Sequence, residues 1–284
     1  QYGRNTIWQD RTISLFTSTS YPLNRYNRLD YGLNYLFIER KVLRSNFDVE
    51  GSHRTALLPH LSFVHDTSVW YSYLEPANGD RWRVDALWSP MMLPPNQRGL
   101  QFLTLSFDWR KYLNHRKDYT FAFRASGASS LGADPQHFYL GGMSNWFNPW
   151  FDNENESIQV SNIEEIYFSS FIDPLRGVGY YNQDGTRYLL GNAEFRFPFI
   201  RYLLMGWPLP AYFYNVRGAA FLDIGTAWDK SKDQVMGKLD WSYGYGFGIR
   251  LDLGIFPIEW DVAWSPDPSS DLKPRYYFSI NAGF

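Results

Sequence analysis

The chain has 284 residues, enough for one domain or one barrel. Its formal net charge is −2, with 27 Lys and Arg against 29 Asp and Glu, so there is no basic surplus to neutralise phosphates and no nucleic acid is expected as a partner. No cysteine is present, which excludes a disulfide scaffold, thiolate metal sites and cysteine nucleophiles.

Aromatics make up 19% of the chain, yet the mean hydropathy is only −0.40. A soluble core built from so many rings would read as more hydrophobic. A barrel with a lipid-facing apolar band, aromatic girdles and a polar lumen gives this mixture. The chain opens at Gln1 on polar residues without an apolar leader, as expected of an exported protein that has already lost it. The longest uncharged apolar stretch, Tyr202 to Val216, is too short for a spanning helix and is broken by Pro208 and Pro210.

Alternation dominates from the start of the chain, and a period of two means strands. Ile13, Leu15 and Tyr21 form a first, weaker apolar row. Leu29, Tyr31, Leu33, Tyr35 and Phe37 then face away from Asp30, Gly32 and Asn34. Leu57, Leu61 and Phe63 oppose His60 and Ser62, while Trp82, Val84, Ala86 and Trp88 oppose Arg83 and Asp85. Leu103, Leu105, Phe107 and Trp109 oppose Thr104, Ser106, Asp108 and Arg110. Tyr119, Phe121, Phe123 and Ala125 oppose Thr120, Arg124 and Ser126. A long loop over 130–185 follows, then strands near 186–197, 213–227, 241–253, 256–265 and 275–284. In 241–253 the odd positions run from Trp241 to Leu253 and are all apolar. The even ones are Ser242, Gly244, Gly246, Gly248, Arg250 and Asp252.

These rows predict an all-β fold: an antiparallel transmembrane β-barrel treated as a single domain over 1–284. About eleven strands are visible, and since such barrels favour even numbers, they belong to a barrel of about 12 to 16 strands. Strand length, inner-face charges of both signs that look unpaired, and aromatics at strand ends (Trp260, Trp264) favour a membrane over a soluble sandwich. Phe278, Ile280, Ala282 and Phe284 share the lipid face of the last strand. A terminal aromatic there resembles an outer-membrane insertion signal, which directs that strand from the outside to the periplasm. The long loop is then external, 253–256 a tight periplasmic turn, and 199–212 a long apolar turn lying on the membrane surface.

The long loop contains Leu175-Arg176-Gly177-Val178-Gly179-Tyr180. The next strand carries Asn192, Glu194 and Arg196, and the one after carries Phe221, Asp223 and Gly225. This trio, followed by three more strands and a terminal Phe, resembles the outer-membrane assembly-factor and two-partner-secretion superfamily, also called the bacterial surface antigen family. The resemblance covers roughly 135–284. It departs at Val178, where the family has an aromatic ring that Tyr180 replaces here. It departs again at residues 143–174, inserted between Tyr139-Leu140-Gly141-Gly142 and the Arg motif. The insert carries Trp146, Trp150 and the acids Asp152, Glu154, Glu156, Glu164 and Glu165. Upstream, Ser20-Tyr21-Pro22-Leu23 through Glu39-Arg40 is similar to the barrel region of large envelope proteins in which a TolB-like β-propeller precedes the barrel. That similarity implies a propeller and early strands ahead of Gln1.

The resemblance implies that the loop folds back into the lumen and that Arg176 contacts acids on the next two strands. Parity agrees, since it turns Glu194 and Asp223 inward. It implies a bacterial outer-membrane location, no enzymatic activity and no cofactor. Its expected partners are outer-membrane lipid, client outer-membrane or secreted polypeptides, and other envelope subunits. The five histidines show no metal-ligand spacing, and no nucleophile elbow occurs, so neither catalytic nor metal residues are assigned. Three functions stand open: insertion or translocation of polypeptide, a structural barrel anchoring an envelope complex, and a passive porin.

Overall fold

The structure, a computed structural model, describes residues 7–44, 51–70, 75–90, 99–116, 118–144, 147, 168–207, 211–229, 239–252, 257–266 and 273–280. Its strands are β1 (Ile7–Pro22), β2 (Asn27–Arg44), β3 (Ser52–Asp66), β4 (Val69–Trp70), β5 (Pro76–Ser89), β6 (Phe102–His115), β7 (Tyr119–Gly132), β8 (Phe138–Leu140), β9 (Ser170–Ile172), β10 (Gln183–Gly185), β11 (Arg187–Met205), β12 (Ala211–Trp228), β13 (Ser242–Asp252), β14 (Pro257–Trp264) and β15 (Arg275–Ser279). They form a 12-stranded sheet in the order β1-β2-β3-β5-β6-β7-β11-β12-β13-β14-β15, with β4 beside β5. Every pairing in it is antiparallel. Along this path consecutive strands are neighbours, except that β3 pairs with β5 past the two-residue β4, and β7 pairs with β11 across the long loop.

One face of this sheet is apolar and uncovered. Leu15, Tyr31, Leu61, Val84, Leu105, Phe107, Phe121, Leu222, Tyr245, Phe247 and Trp260 are all exposed on it. A continuous surface of this kind in water would drive aggregation. Against acyl chains it is the stable arrangement, which makes it the lipid face of an outer-membrane barrel. The strands run to 18 residues in β2 and β12 and 19 in β11. That exceeds the roughly 9–11 residues needed to cross hydrocarbon, so the sheet projects beyond the bilayer.

The inner face corrects three expectations. Its charges, which look unpaired in the sequence, are paired: Arg83 with Asp85 at 2.5 Å, Arg110 with Asp108 at 2.6 Å and Arg124 with Asp108 at 2.8 Å. Residues two apart share a face, so β5 and β6 supply counter-ions within the strand, and Asp108 of β6 also serves Arg124 on neighbouring β7. Nor is the inner face wet throughout. Leu36, Ile38, Ala56, Leu58 and Phe102 are buried there beneath Leu100 and Phe168, because loop segments fold over the strands at that end. Finally, 199–205 is no surface turn. β11 continues through Met205 and pairs with a β12 that begins at Ala211. The register shift between Pro198 and Ile200 mimics a strand end in the sequence, but pairing resumes at Ile200↔Val216.

The long loop has structure of its own. β8 pairs antiparallel with β10 and parallel with β9 in a three-stranded sheet. Three-residue strands are too short to leave a periodic signal. The 253–256 turn and the acidic residues 152–165 with Trp146 and Trp150 lie outside the described residues.

Candidate functional site

The loop reaches the inner wall through local packing. Gly142 and Leu175 exchange backbone hydrogen bonds at 3.0 and 2.9 Å. Leu175 is fully buried with Phe138, Leu140, Val178, Tyr188 and Leu190. This apolar knot, made by the small sheet and β11, fixes where the next residue must point. Gly177 then turns the chain at φ +92°, with its Cβ position 2.6 Å from the Trp264 carbonyl, so only glycine fits.

Arg176 is thereby driven into the wall and is 1% exposed. Its Nε and Nη2 donate to the two oxygens of Asp223 at 2.8 and 3.0 Å, a bidentate fork, and its own backbone N–H donates to the same carboxylate at 3.0 Å. Nη1 donates to Glu194 at 3.2 Å and to Asp261 at 3.0 Å. The Phe221 ring lies 3.4 Å from the guanidinium carbon, adding a cation–π contact. Burying a guanidinium is tolerable only when its donors and charge are matched in this way.

The acids are themselves held by further arginines. Arg250 reaches Asp261 at 2.5 Å and Glu259 at 2.5 Å. Arg196 reaches Glu194 at 2.8 Å and, at 3.6 Å, Glu75, which also lies 3.6 Å from Arg217. Opposite charges therefore alternate from the loop tip along β11 to Glu75, which precedes β5 at the far end of the strands. Asn192 donates to Asp223 and to the Pro174 carbonyl, both at 2.8 Å.

The tip also rests on β13 and β15. A Cβ at Gly244 would overlap the Arg176 carbonyl, and Asn182 and Gln183 of the loop donate to the Ser242 hydroxyl, so the loop lands on the first small even positions of β13. On β15, Tyr277 accepts from the Gly177 N–H and donates to the Val178 carbonyl, each at 2.8 Å, and Arg275 donates to the Gly177 carbonyl. Where the loop leaves the small sheet, Asp173 accepts from Ser144, and its backbone carbonyl accepts from Arg124 at 2.6 Å. Burial raises the Asp173 carboxyl above its ordinary value, and nearby Arg124 offsets this only in part.

The structure thus brings together Leu175, Arg176, Gly177, Glu194, Phe221, Asp223 and Gly225. Tyr180 packs beside Met143, Phe221, Ala263 and Tyr277. Phe278 is exposed on the lipid side of β15 and Ile280 is half-buried, while Ala282 and Phe284 lie outside the described residues. Sequence reasoning missed Asp261, Glu259 and Arg250, although inward parity on their strands was available to find them. It also missed Glu75 and Tyr277. Glu75 lies just outside a strand, and Tyr277 is one ring among several on its strand, so neither leaves a pattern.

A lipid-facing antiparallel sheet with a loop tip locked to its inner wall defines an outer-membrane β-barrel of the loop-plugged type. Residues 8–284 match the family model described as the Omp85 superfamily domain, and the chain belongs to that superfamily. It is similar in fold to three solved structures. The first is BamA from Haemophilus ducreyi lacking POTRA domains 1-3, with TM-score 0.64 and 12% identity, covering 95% of this chain and 54% of that one. The second is CdiB from Escherichia coli, with TM-score 0.58 and 14% identity, covering 97% and 47%. The third is CdiB from Acinetobacter baumannii, with TM-score 0.53 and 14% identity, covering 96% and 42%. The chain spans about half the length of these structures. Nothing among the curated proteins matches it.

Proposed function

We propose that this barrel inserts or translocates polypeptide at the outer membrane without bond chemistry, by offering a strand edge to which an incoming strand adds. The observation that carries the reading is the loop-tip lock, in which Arg176 of the long loop is buried against Asp223, Glu194 and Asp261 on the inner wall of a lipid-facing sheet. Membership of the superfamily supports it. Clients are then unfolded outer-membrane or secreted chains.

The test reconstitutes the full-length protein in liposomes and supplies a urea-denatured eight-stranded outer-membrane barrel. Faster acquisition of protease resistance than in empty liposomes is expected. Equal rates overturn the reading. A second reading, a scaffold barrel anchoring an envelope complex, is favoured by the inner wall being engaged from both ends, by Arg176 and by Glu75. Under it, photocrosslinking in cells captures a constant envelope subunit rather than a succession of clients. A passive porin fits least, because the locked loop lies within the wall it would have to clear, and single-channel current across planar bilayers checks this.

A further inference from the structure

The sheet is uneven at the end opposite the long loop. There the ladder between β7 and β11 stops at Arg196↔Thr120, and the ladder between β12 and β13 stops at Arg217↔Arg250. β11 nevertheless continues to Met205 and stays paired with β12 as far as Met205↔Ala211. Among the described residues, no third strand joins the ladder beyond those two rungs, so β11 and β12 leave the sheet as a two-stranded ribbon. Its root is fixed, because Arg196 and Arg217 are buried there against Glu75. A register shift between Pro198 and Ile200 follows at once, and such a shift bends the strand away from its neighbours.

The ribbon does not suit water. From Phe197 to Met205 its one charge is Arg201. Phe199 is 54% exposed, Tyr202 61% and Leu204 77%. A long apolar strand at an open edge is a template for pairing with another chain. Hydrocarbon does not relieve it either. An open edge presents main-chain N–H and C=O groups, and a bilayer core offers them no partner. Another extended chain meets both needs. Its main chain continues the ladder, and its alternate apolar side chains cover Phe199, Tyr202 and Leu204.

We propose that the 197–205 edge of β11 is a docking strand for an extended, apolar, weakly charged segment of a client polypeptide. The segment adds on the side that β7 leaves open. The direction of the last strand puts this end of the barrel in the periplasm, where an unfolded client arrives. The proposal rests on the insertion reading and deepens it by naming where a client is first held, apart from the Arg176 lock.

The test uses the full-length protein in detergent, with a photoreactive phenylalanine derivative in place of Leu204. The control carries it in place of Leu113, which is also exposed but lies where β6 is paired with β7. The probe is a synthetic peptide copying residues 241–253, an alternating strand. Its fully N-methylated form keeps the side chains and loses every main-chain donor. Crosslinking at Leu204 is expected to exceed that at Leu113, and N-methylation lowers it about tenfold, the effect of two lost hydrogen bonds. Phe199→Lys, which sets a charge on the edge, lowers it by a smaller factor. Equal yields from the two peptides, or at the two positions, overturn the docking strand. So do crosslinks to phospholipid in liposomes in place of the peptide, which put the ribbon on the leaflet, and crosslinks between two copies, which make it a dimer contact. If Phe199→Lys does not fold, judged by heat-modifiable mobility, the two peptides decide alone. The liposome assay separates this idea from the function it rests on. Peptide capture at Leu204 with no acceleration of client folding keeps the docking strand and removes the insertase reading. Accelerated folding without capture does the reverse.

Discussion

Arg176 and Asp223 share three hydrogen bonds: two from the guanidinium fork and one from the Arg176 backbone N–H. The pairing therefore fixes the main chain of the loop tip as well as its side chain. Truncating Arg176 leaves the buried Asp223, Asp261 and Glu194 short of a counter-charge. Arg176→Ala is expected to destabilise the locked state by about 3–5 kcal/mol, read as a lower temperature for the mobility shift of the barrel in detergent. Arg176→Lys restores the charge without the fork and falls between the two. A wild-type transition in Arg176→Ala would show that the fork is not what holds the loop.

The lock can also be opened without touching a charge. At Gly244 a methyl group would overlap the Arg176 carbonyl, whereas at Gly206 nothing lies within 4 Å of the added Cβ. Gly244→Ala should lift the tip and Gly206→Ala should not. The chain has no cysteine of its own, so a single cysteine at Asn182 reports the difference by its rate of maleimide labelling. Equal labelling of the two variants would place the tip elsewhere.

Glu75 lies between Arg196 and Arg217 at the end of the strands opposite the loop. Glu75→Gln keeps the shape and removes the charge, and about 1–3 kcal/mol of stability is expected to go with it. Because Arg196 also holds Glu194, the same variant should speed labelling at Asn182. If stability falls with no change in labelling, the two ends of the charge chain act independently.

Asp173 gives the loop a pH dependence. Burial holds its carboxyl above the ordinary 3.8, so the folded form favours the protonated acid. Its contribution to stability is then fully present below pH 3.8 and is lost as pH rises through the raised folded value. Asp173→Asn should flatten this segment of the stability profile and raise stability at neutral pH. An unchanged slope in thermal scans from pH 3 to pH 7 would remove Asp173 as the cause.

What the sequence by itself determined is the sheet. Period-two rows such as Tyr243, Tyr245 and Phe247 against Gly244, Gly246 and Gly248 specify strand, face and environment together, because a strand shows its two faces in alternate residues. The same parity turns Glu194, Asp223, Glu259 and Asp261 inward, and the Arg176 motif names the loop. Where alternation is interrupted, as at Pro198, the reading stopped short, and β11 runs on to Met205. Only the tertiary structure decided which inward groups meet. Glu75 and Arg196 are far apart in the chain, Tyr277 is one ring among many, and the three-residue strands of the loop carry no period. Parity says which way a residue points; its partner depends on how far the loop reaches and on which strands stand side by side, and distances between remote segments are set by folding rather than by local pattern.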